Sequence, residues 1–184
     1  MIYSTKKLVT VAVIGALYAA LTLVLAPISY GVIQFRVSEV LCILPFFFPE
    51  SAVGLTIGCV IANLLGPSAG PLDIIFGSLA TLLAGICTAA IGVHARRNEK
   101  IGWFSCIAAC FMPVLFNAPI IGAVISFTSL QDVTAQYGFW EGFAVYGSWV
   151  GLGEAVVLFA LGLPAMRYIL KSNALRAYII KLQQ

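Results

Sequence analysis

Long, uninterrupted apolar runs constrain this chain more than any other feature, and the run from Leu8 to Ala26 is the first of them. Of the 184 residues, 61% are apolar and only 9% are charged. A soluble domain is about 45–50% apolar and about 25% charged, so polar side chains are too few here to cover a soluble surface. Because the runs are continuous and do not alternate as in a membrane β-barrel, the sequence predicts an all-α integral membrane protein.

The composition and the missing motifs exclude several classes of function. Disordered chains are poor in large apolar residues, and the net charge of +3 is spread too thinly for a nucleic-acid binder. The sequence contains no G-x-x-x-x-G-K-[ST] phosphate loop, so the chain is not expected to hydrolyse ATP by itself. His94, the single histidine, supports neither a zinc motif nor a Ser-His catalytic pair. We therefore expect neither an enzyme nor a bound metal or cofactor.

At about 20 residues for each crossing, the chain has room for a bundle of six transmembrane helices in a single domain covering residues 1–184. The sequence predicts helices at about residues 8–26, 38–48, 50–65, 72–95, 101–125 and 141–170, followed by a short basic tail at 171–184. The second helix rises only about 16 Å, so the residues before it must also enter the membrane, where irregular backbone has to be buried or line a cavity. A signal peptide is the alternative for the first run, but that run is too long and Pro27 would follow the cleavage site.

The basic residues orient this bundle. Nine of the ten lysines and arginines lie on one side if the chain crosses six times, namely Lys6, Lys7, Arg96, Arg97, Lys100, Arg167, Lys171, Arg176 and Lys181. Cytoplasmic loops carry an excess of such residues. Both termini are therefore predicted to be cytoplasmic, in a multi-pass protein of the cell membrane, and Arg36 alone lies toward the outer side.

Polar residues inside the spans fall into one layer toward the outer side, and five of the helices contribute to it. The layer contains Arg36, Glu39, Asn63, Asp73, Asn117 and Glu154. Each residue has a structural alternative: Arg36 and Glu39 could pair on one helix face, Asp73 could cap a helix, and the asparagines could join helices. Ionisable groups within a membrane usually mark function, however, and their convergence favours a ligand pocket that opens outward over a sealed apolar half.

The residue types in this layer indicate the kind of ligand. Three carboxylates face a single arginine, so a ligand that is cationic or rich in N–H donors fits best, and a phosphorylated ligand fits poorly. Aromatic side chains nearby favour a flat ring. The candidate substrate-binding residues are Gln34, Phe35, Arg36, Glu39, Asn63, Asp73, Asn117, Tyr146, Trp149 and Glu154.

The first predicted helix carries small residues at a spacing that permits close approach of another helix. Ala12, Ala16 and Ala20 recur every four residues, and this helix holds none of the candidate site residues. The chain also lacks the two related halves that are typical of autonomous secondary transporters. A chain with an outward pocket and no motor needs a partner to move its ligand, and this helix is the predicted contact.

Several segments carry a resemblance to a known family. They are Pro27-Ile28-Ser29-Tyr30-Gly31, Ile33-Gln34-Phe35-Arg36-Val37-Ser38-Glu39, Leu44-Pro45-Phe46-Phe47, Ile61-Ala62-Asn63-Leu64, Leu72-Asp73-Ile74-Ile75-Phe76-Gly77-Ser78-Leu79-Ala80-Thr81, Gly153-Glu154 and Leu161-Gly162-Leu163-Pro164. Together they resemble the QueT group, which belongs to the substrate-binding S components of energy-coupling factor (ECF) transporters. The resemblance extends from about Thr10 to Leu170.

This resemblance implies a six-helix protein that captures a vitamin-like molecule outside the cell. It implies that Ala12, Ala16 and Ala20 dock on a transmembrane coupling protein, the T component, which works with two cytoplasmic ATPase subunits. QueT proteins are taken to import queuosine precursors, which are 7-deazaguanines such as preQ1 and preQ0. An S component for riboflavin, thiamine or folate is the alternative within this class. An autonomous carrier or a small membrane enzyme is the alternative outside it.

Overall fold

The computed structural model describes residues 5–30, 34–67, 70–129, 138–175, 177 and 179, and this part of the chain contains helices and no strand. The helices in chain order are α1 (Thr5–Val24), α2 (Ala26–Ser29), a 3-10 helix (Val37–Phe46), α3 (Ser51–Leu65), α4 (Ser78–Arg97), α5 (Trp103–Ser129), α6 (Phe139–Val157) and α7 (Leu163–Lys171). A π-helical turn, Asp73–Gly77, precedes α4, and another, Leu158–Gly162, joins α6 to α7. The prediction of an all-α protein is confirmed for the described residues.

Within the part of the chain that the structure describes, four helical stretches are long and apolar enough to cross a membrane. They are Thr5–Val24, Asp73–Arg97, Trp103–Ser129 and Phe139–Lys171, whereas Val37–Phe46 and Ser51–Leu65 are shorter apolar helices. The bounds agree with the predicted helices to within a few residues at each end. The number of crossings stays a prediction, because it depends on the two shorter helices.

The second predicted helix is a 3-10 helix of ten residues. A 3-10 helix rises about 2.0 Å for each residue, compared with 1.5 Å in an α-helix, so the segment reaches about 20 Å rather than about 15 Å. The irregular stretch predicted before it contains α2 and the non-helical residues 34–36, while residues 31–33 lie outside the described part. With the same ten residues, the 3-10 helix therefore reaches further than an α-helix would.

Glycines bring α1 and α3 into backbone contact. A Cβ atom added at Gly15 would lie 2.6 Å from the carbonyl oxygen of Gly54, and one added at Gly58 would lie 2.5 Å from that of Gly15. The two helices can therefore approach closely only because these positions lack side chains. The opposite face of α1, with Ala12, Ala16 and Ala20, is exposed.

Contacts between helix ends show how the segments follow one another. At one end of the bundle, the Lys7 ammonium lies 3.5 Å from the Glu50 carboxylate, and the Arg96 guanidinium donates to the Phe46 carbonyl. An apolar cluster that includes Phe46, Leu158 and Met166 fills the interior. The starts of α1 and α3, the end of the 3-10 helix and the end of α4 therefore lie together.

Candidate functional site

Glu39 lies near the start of the 3-10 helix and is held by side chains from two elements. It is 3% exposed. The Tyr18 hydroxyl of α1 donates to its Oε1 atom, and the Cys42 thiol donates to its Oε2 atom at 2.8 Å. Thr22 and Ser38 join the same two helices through a hydroxyl pair 2.6 Å apart. Both carboxylate oxygens of Glu39 thus have donors within the chain.

The part played by α1 was missed in the sequence analysis, which assigned no site residue to the first helix. Tyr18 and Thr22 lie four residues apart, one turn along the helix, so their hydroxyls share a face. Two hydroxyl side chains at that spacing within an apolar run were the available signal. The face that they form is buried, opposite the exposed alanines.

Arg36 directly precedes the 3-10 helix and is held by neutral groups. Its Nε atom donates to the Ser29 carbonyl at 3.4 Å, and its Nη2 atom donates to the Asn63 Oδ1 atom at 3.1 Å. Its guanidinium carbon lies 5.2 Å from the centre of the Tyr30 ring. Asn63 in turn donates to the Asp73 carbonyl at 3.0 Å. The guanidinium has five N–H donors, so these two bonds leave donors for a further partner.

Glu154 of α6 and Asn117 of α5 are the remaining polar pair of the site. The Asn117 side-chain amide donates to the Oε1 atom of Glu154, across 37 residues of sequence. Glu154 is 4% exposed, and its Oε2 atom is buried with no hydrogen-bond partner. A buried acceptor without a donor is costly, more so when it is charged. This oxygen is therefore the atom of the site that most needs a donor from elsewhere.

This pair encloses, together with Glu39 and Arg36, a cavity of about 20 Å³. It is lined by Gln34, Arg36, Glu39, Asn117, Ile121, Val150 and Glu154. The volume is about that needed for a single water molecule. Arg36 and Gln34, which carry N–H donors, line the same small space as Glu154, whose Oε2 atom has no donor, so the arrangement suits a ligand that both gives and accepts hydrogen bonds. A ligand with a ring requires the walls to move apart.

The cavity brings together half of the candidate site residues, Gln34, Arg36, Glu39, Asn117 and Glu154, and leaves the other half outside its lining. Asn63 accepts a hydrogen bond from Arg36 and so orients the guanidinium. The Asp73 carboxylate accepts from the Gly70 N–H at 3.1 Å, at the start of its own helical stretch.

The three aromatic candidates also lie outside the lining of the cavity. Trp149 is 40% exposed and shares an exposed face of α6 with Leu152 and Val156. Phe35 and Tyr146 are half-buried. Phe35 directly neighbours Gln34 and Arg36 in the chain, and Tyr146 lies two turns before Glu154 on α6.

Two apolar residues of the cavity, Ile121 and Val150, were not among the sequence candidates. Ile121 follows Asn117 by four residues, and Val150 precedes Glu154 by four, so each lies one turn from a polar residue on the same helix face. Their position relative to those two residues was the available signal. They give the cavity an apolar side.

A family model described as QueT transporter matches residues 8–171. The chain is 47% identical over 81 residues to the queuosine precursor transporter QueT of Lactococcus lactis subsp. cremoris (strain MG1363). That alignment covers 43% of this chain and 47% of the relative, so the chain spans about half the length of the curated relative that it matches. No solved structure matches the chain.

Proposed function

The chain belongs to the QueT transporter family, and from this premise we propose that it is the S component of an ECF importer for a queuosine precursor. Its role is to bind a 7-deazaguanine, such as preQ1 or preQ0, from outside the cell and to deliver it inward. Partner subunits hydrolyse the ATP. The chain itself is a transport subunit and not an enzyme.

The observation that carries this proposal is the unpartnered Oε2 atom of Glu154 in a cavity that Arg36 also lines. A deazaguanine presents a ring N–H and an exocyclic amine side by side, and a carboxylate can accept both. Its ring carbonyl needs a donor. We assign the N–H edge to Glu154 and the carbonyl to Arg36, with the Asn117 amide as the other candidate donor.

Glu39 is the less suitable carboxylate for the N–H edge, because Tyr18 and Cys42 already donate to its two oxygens. For the face of the ring we assign Phe35, which adjoins two residues of the cavity lining. Asn63 supports Arg36 rather than the ligand. The remaining candidates, Asp73, Tyr146 and Trp149, are assigned no contact.

Entry of a bicyclic ring requires the cavity to expand from its volume of about 20 Å³. Gln34 and Arg36 lie in non-helical backbone that precedes the 3-10 helix, whereas Asn117 and Glu154 lie within long α-helices. Non-helical backbone has fewer hydrogen bonds to break. We therefore propose that residues 34–36 move to admit the ligand.

The proposed arrangement in the cell membrane has six crossings and cytoplasmic termini. Support comes from Lys7, Glu50 and Arg96, which contacts place at one end of the bundle, while Arg36 and Asn63 meet at a distance from it. Because cytoplasmic segments carry an excess of lysine and arginine, we assign the end with Lys7 and Arg96 to the cytoplasmic side. The site then lies toward the outside.

The proposed partners are a T component and two cytoplasmic ATPase subunits. Ala12, Ala16 and Ala20 are exposed along α1, with apolar side chains such as Val13 and Leu17 between them. Small side chains allow a partner helix to approach closely. In this proposal the S component topples against the T component after binding and carries the site inward.

Ligand binding by the purified chain tests the substrate class. We expect preQ1 or preQ0 to raise the temperature of thermal unfolding, since a ligand that binds only the folded state stabilises it. Riboflavin, thiamine and folate serve as the competing ligands, and mass spectrometry identifies any compound that co-purifies. Stabilisation by one of these vitamins alone would refute the queuosine assignment. Uptake by the chain without ATPase subunits would refute the S-component role.

Replacing Ala16 by tryptophan tests the partner surface. A bulky side chain in the exposed stripe should prevent docking and abolish transport, while ligand binding to the isolated chain is retained. Ala144→Trp, at an exposed alanine of α6, is the matched control and should transport normally. Normal transport by Ala16→Trp would remove α1 as the docking surface, and lost ligand binding would show that the stripe has a folding role.

A further inference from the structure

The two carboxylates of the cavity have unequal surroundings. Glu39 receives a hydrogen bond on each oxygen, from the Tyr18 hydroxyl and the Cys42 thiol. Glu154 receives one, from Asn117, and its Oε2 atom has none. The chain thus supplies donors to both oxygens of Glu39 but leaves one oxygen of Glu154 without a donor.

Tyr18 is well placed to fix this difference. Its side chain is fully buried, and its Cβ atom lies 3.0 Å from the position that a Cβ atom at Gly58 would occupy. Tyr18 therefore packs where α1 meets α3, and its buried hydroxyl reaches Glu39 of the 3-10 helix. Thr22, one turn further along α1, ties Ser38 to the same helix.

We infer that Tyr18 is a positioning residue that sets the ligand preference of the site by occupying Glu39. This inference rests on the proposed function and extends it to the choice between precursors. With Tyr18 in place, the ligand meets a single carboxylate oxygen without a donor, that of Glu154. Without the hydroxyl, Glu39 Oε1 becomes a second buried acceptor at the cavity, and a ligand with an additional cationic group can supply its donor.

The two precursors differ in the group that would respond to this change. PreQ1 carries a cationic aminomethyl group, and preQ0 has a neutral group in its place. Tyr18→Phe removes the hydroxyl and keeps the ring, so packing between α1 and α3 is retained. The ratio of the two dissociation constants, Kd for preQ0 over Kd for preQ1, reports the preference independently of any general loss of affinity.

In Tyr18→Phe we expect this ratio to rise by roughly tenfold, the size of a hydrogen bond to a charged group. Tyr168→Phe is the matched control, because Tyr168 lies exposed on α7, and its ratio should equal that of the parent chain. Cys42→Ala removes the other donor to Glu39 and should shift the ratio in the same direction. It decides the question if Tyr18→Phe does not fold.

A double-mutant cycle with Glu39→Gln distinguishes positioning from a direct effect. If Tyr18 acts through Glu39, Tyr18→Phe has no effect on the ratio in the Glu39→Gln background. An unchanged or lowered ratio in Tyr18→Phe overturns the inference, as does a rise that persists when Glu39 is already replaced. A parent chain that binds neither precursor refutes the proposed function itself.

Discussion

At the scale of residues, the surroundings of a carboxylate decide what it can do. Glu39 and Glu154 line the same cavity, but only Glu154 has an oxygen without a donor. Leaving a buried acceptor unsatisfied destabilises the folded chain. In the proposed function the ligand supplies the donor that this oxygen lacks.

Glu154→Gln tests this residue. The amide would place an N–H₂ donor where the ligand has its own N–H groups, so we expect ligand affinity to fall by roughly 30- to 100-fold, which corresponds to about 2–3 kcal/mol. The unfolding temperature of the free chain should stay the same or rise, because an unsatisfied buried carboxylate is removed. Titration calorimetry and thermal unfolding measure the two quantities.

The matched control for that variant is Glu141→Gln on the same helix. Glu141 is exposed and accepts from the Gly138 N–H at the start of α6, far along the helix from Glu154. It should bind ligand as the parent does. Parent-like affinity in Glu154→Gln would mean that another group recognises the N–H edge.

Glu154 could be predicted as a site residue from the sequence, but its unpartnered oxygen could not. An ionisable residue between Gly151-Leu152-Gly153 and Ala155-Val156-Val157 is conspicuous in any apolar run. Its partner Asn117 lies 37 residues away, so which oxygen would be left free depends on the packing of α5 on α6. The same holds for Tyr18 and Glu39, which lie 21 residues apart.

At the scale of elements, backbone contact between α1 and α3 holds the helix that carries Tyr18. The contact depends on Gly15, Gly54 and Gly58, whose missing side chains leave room for the facing backbone. A methyl group at any of them would meet main-chain atoms, which cannot rotate away. The helices would have to separate.

Gly15→Ala is the prediction for this contact. The added Cβ atom would lie 2.6 Å from the Gly54 carbonyl oxygen, and overpacking of this kind costs about 1–3 kcal/mol or more. We expect a lower unfolding temperature together with weaker ligand binding, since α1 positions Glu39. Gly102→Ala is the control, because nothing lies within 4 Å of the added atom. Equal stability of the two variants would contradict close contact between α1 and α3.

The type of helix formed by residues 37–46 could not be predicted from the sequence. The apolar run and its bounds were visible in the sequence, but a run of this length fits either type of helix. Within residues 37–46, Pro45 is the feature that bears on the hydrogen-bond pattern, because proline has no backbone N–H. The other contacts come from elsewhere in the chain: Gly92 of α4 leaves room for the Phe46 backbone, and Ile43 lies against Gly162 of the second π-helical turn.

At the scale of the whole molecule, the topology can be tested at the turn between the 3-10 helix and α3. Within the described residues, four stretches are long and apolar enough to cross a membrane, and these two helices are shorter. The 3-10 helix and α3 form a pair whose connecting turn contains Glu50. The direction of every later helix is the same whether this pair crosses the membrane or only enters it. The side of the membrane on which Glu50 lies therefore distinguishes six crossings from four.

Labelling of introduced cysteines by a membrane-impermeant thiol reagent measures that position. Glu50→Cys and Asn98→Cys should react only after the membrane is permeabilised, whereas Gly138→Cys should react in intact cells. The parent chain is the blank, because four of its five cysteines are buried and the fifth is half-buried. Labelling of Glu50→Cys in intact cells would contradict six crossings.

The two faces of α1 have a consequence for how the sequence can vary among relatives. Its glycine face is constrained by α3 of the same chain, so a substitution there demands a compensating one in that helix. Its alanine face is exposed in the described chain, and in the proposed function a coupling protein covers it. Under that proposal, members of the family that share a coupling protein should keep the alanine face in common, while the glycine face changes together with α3.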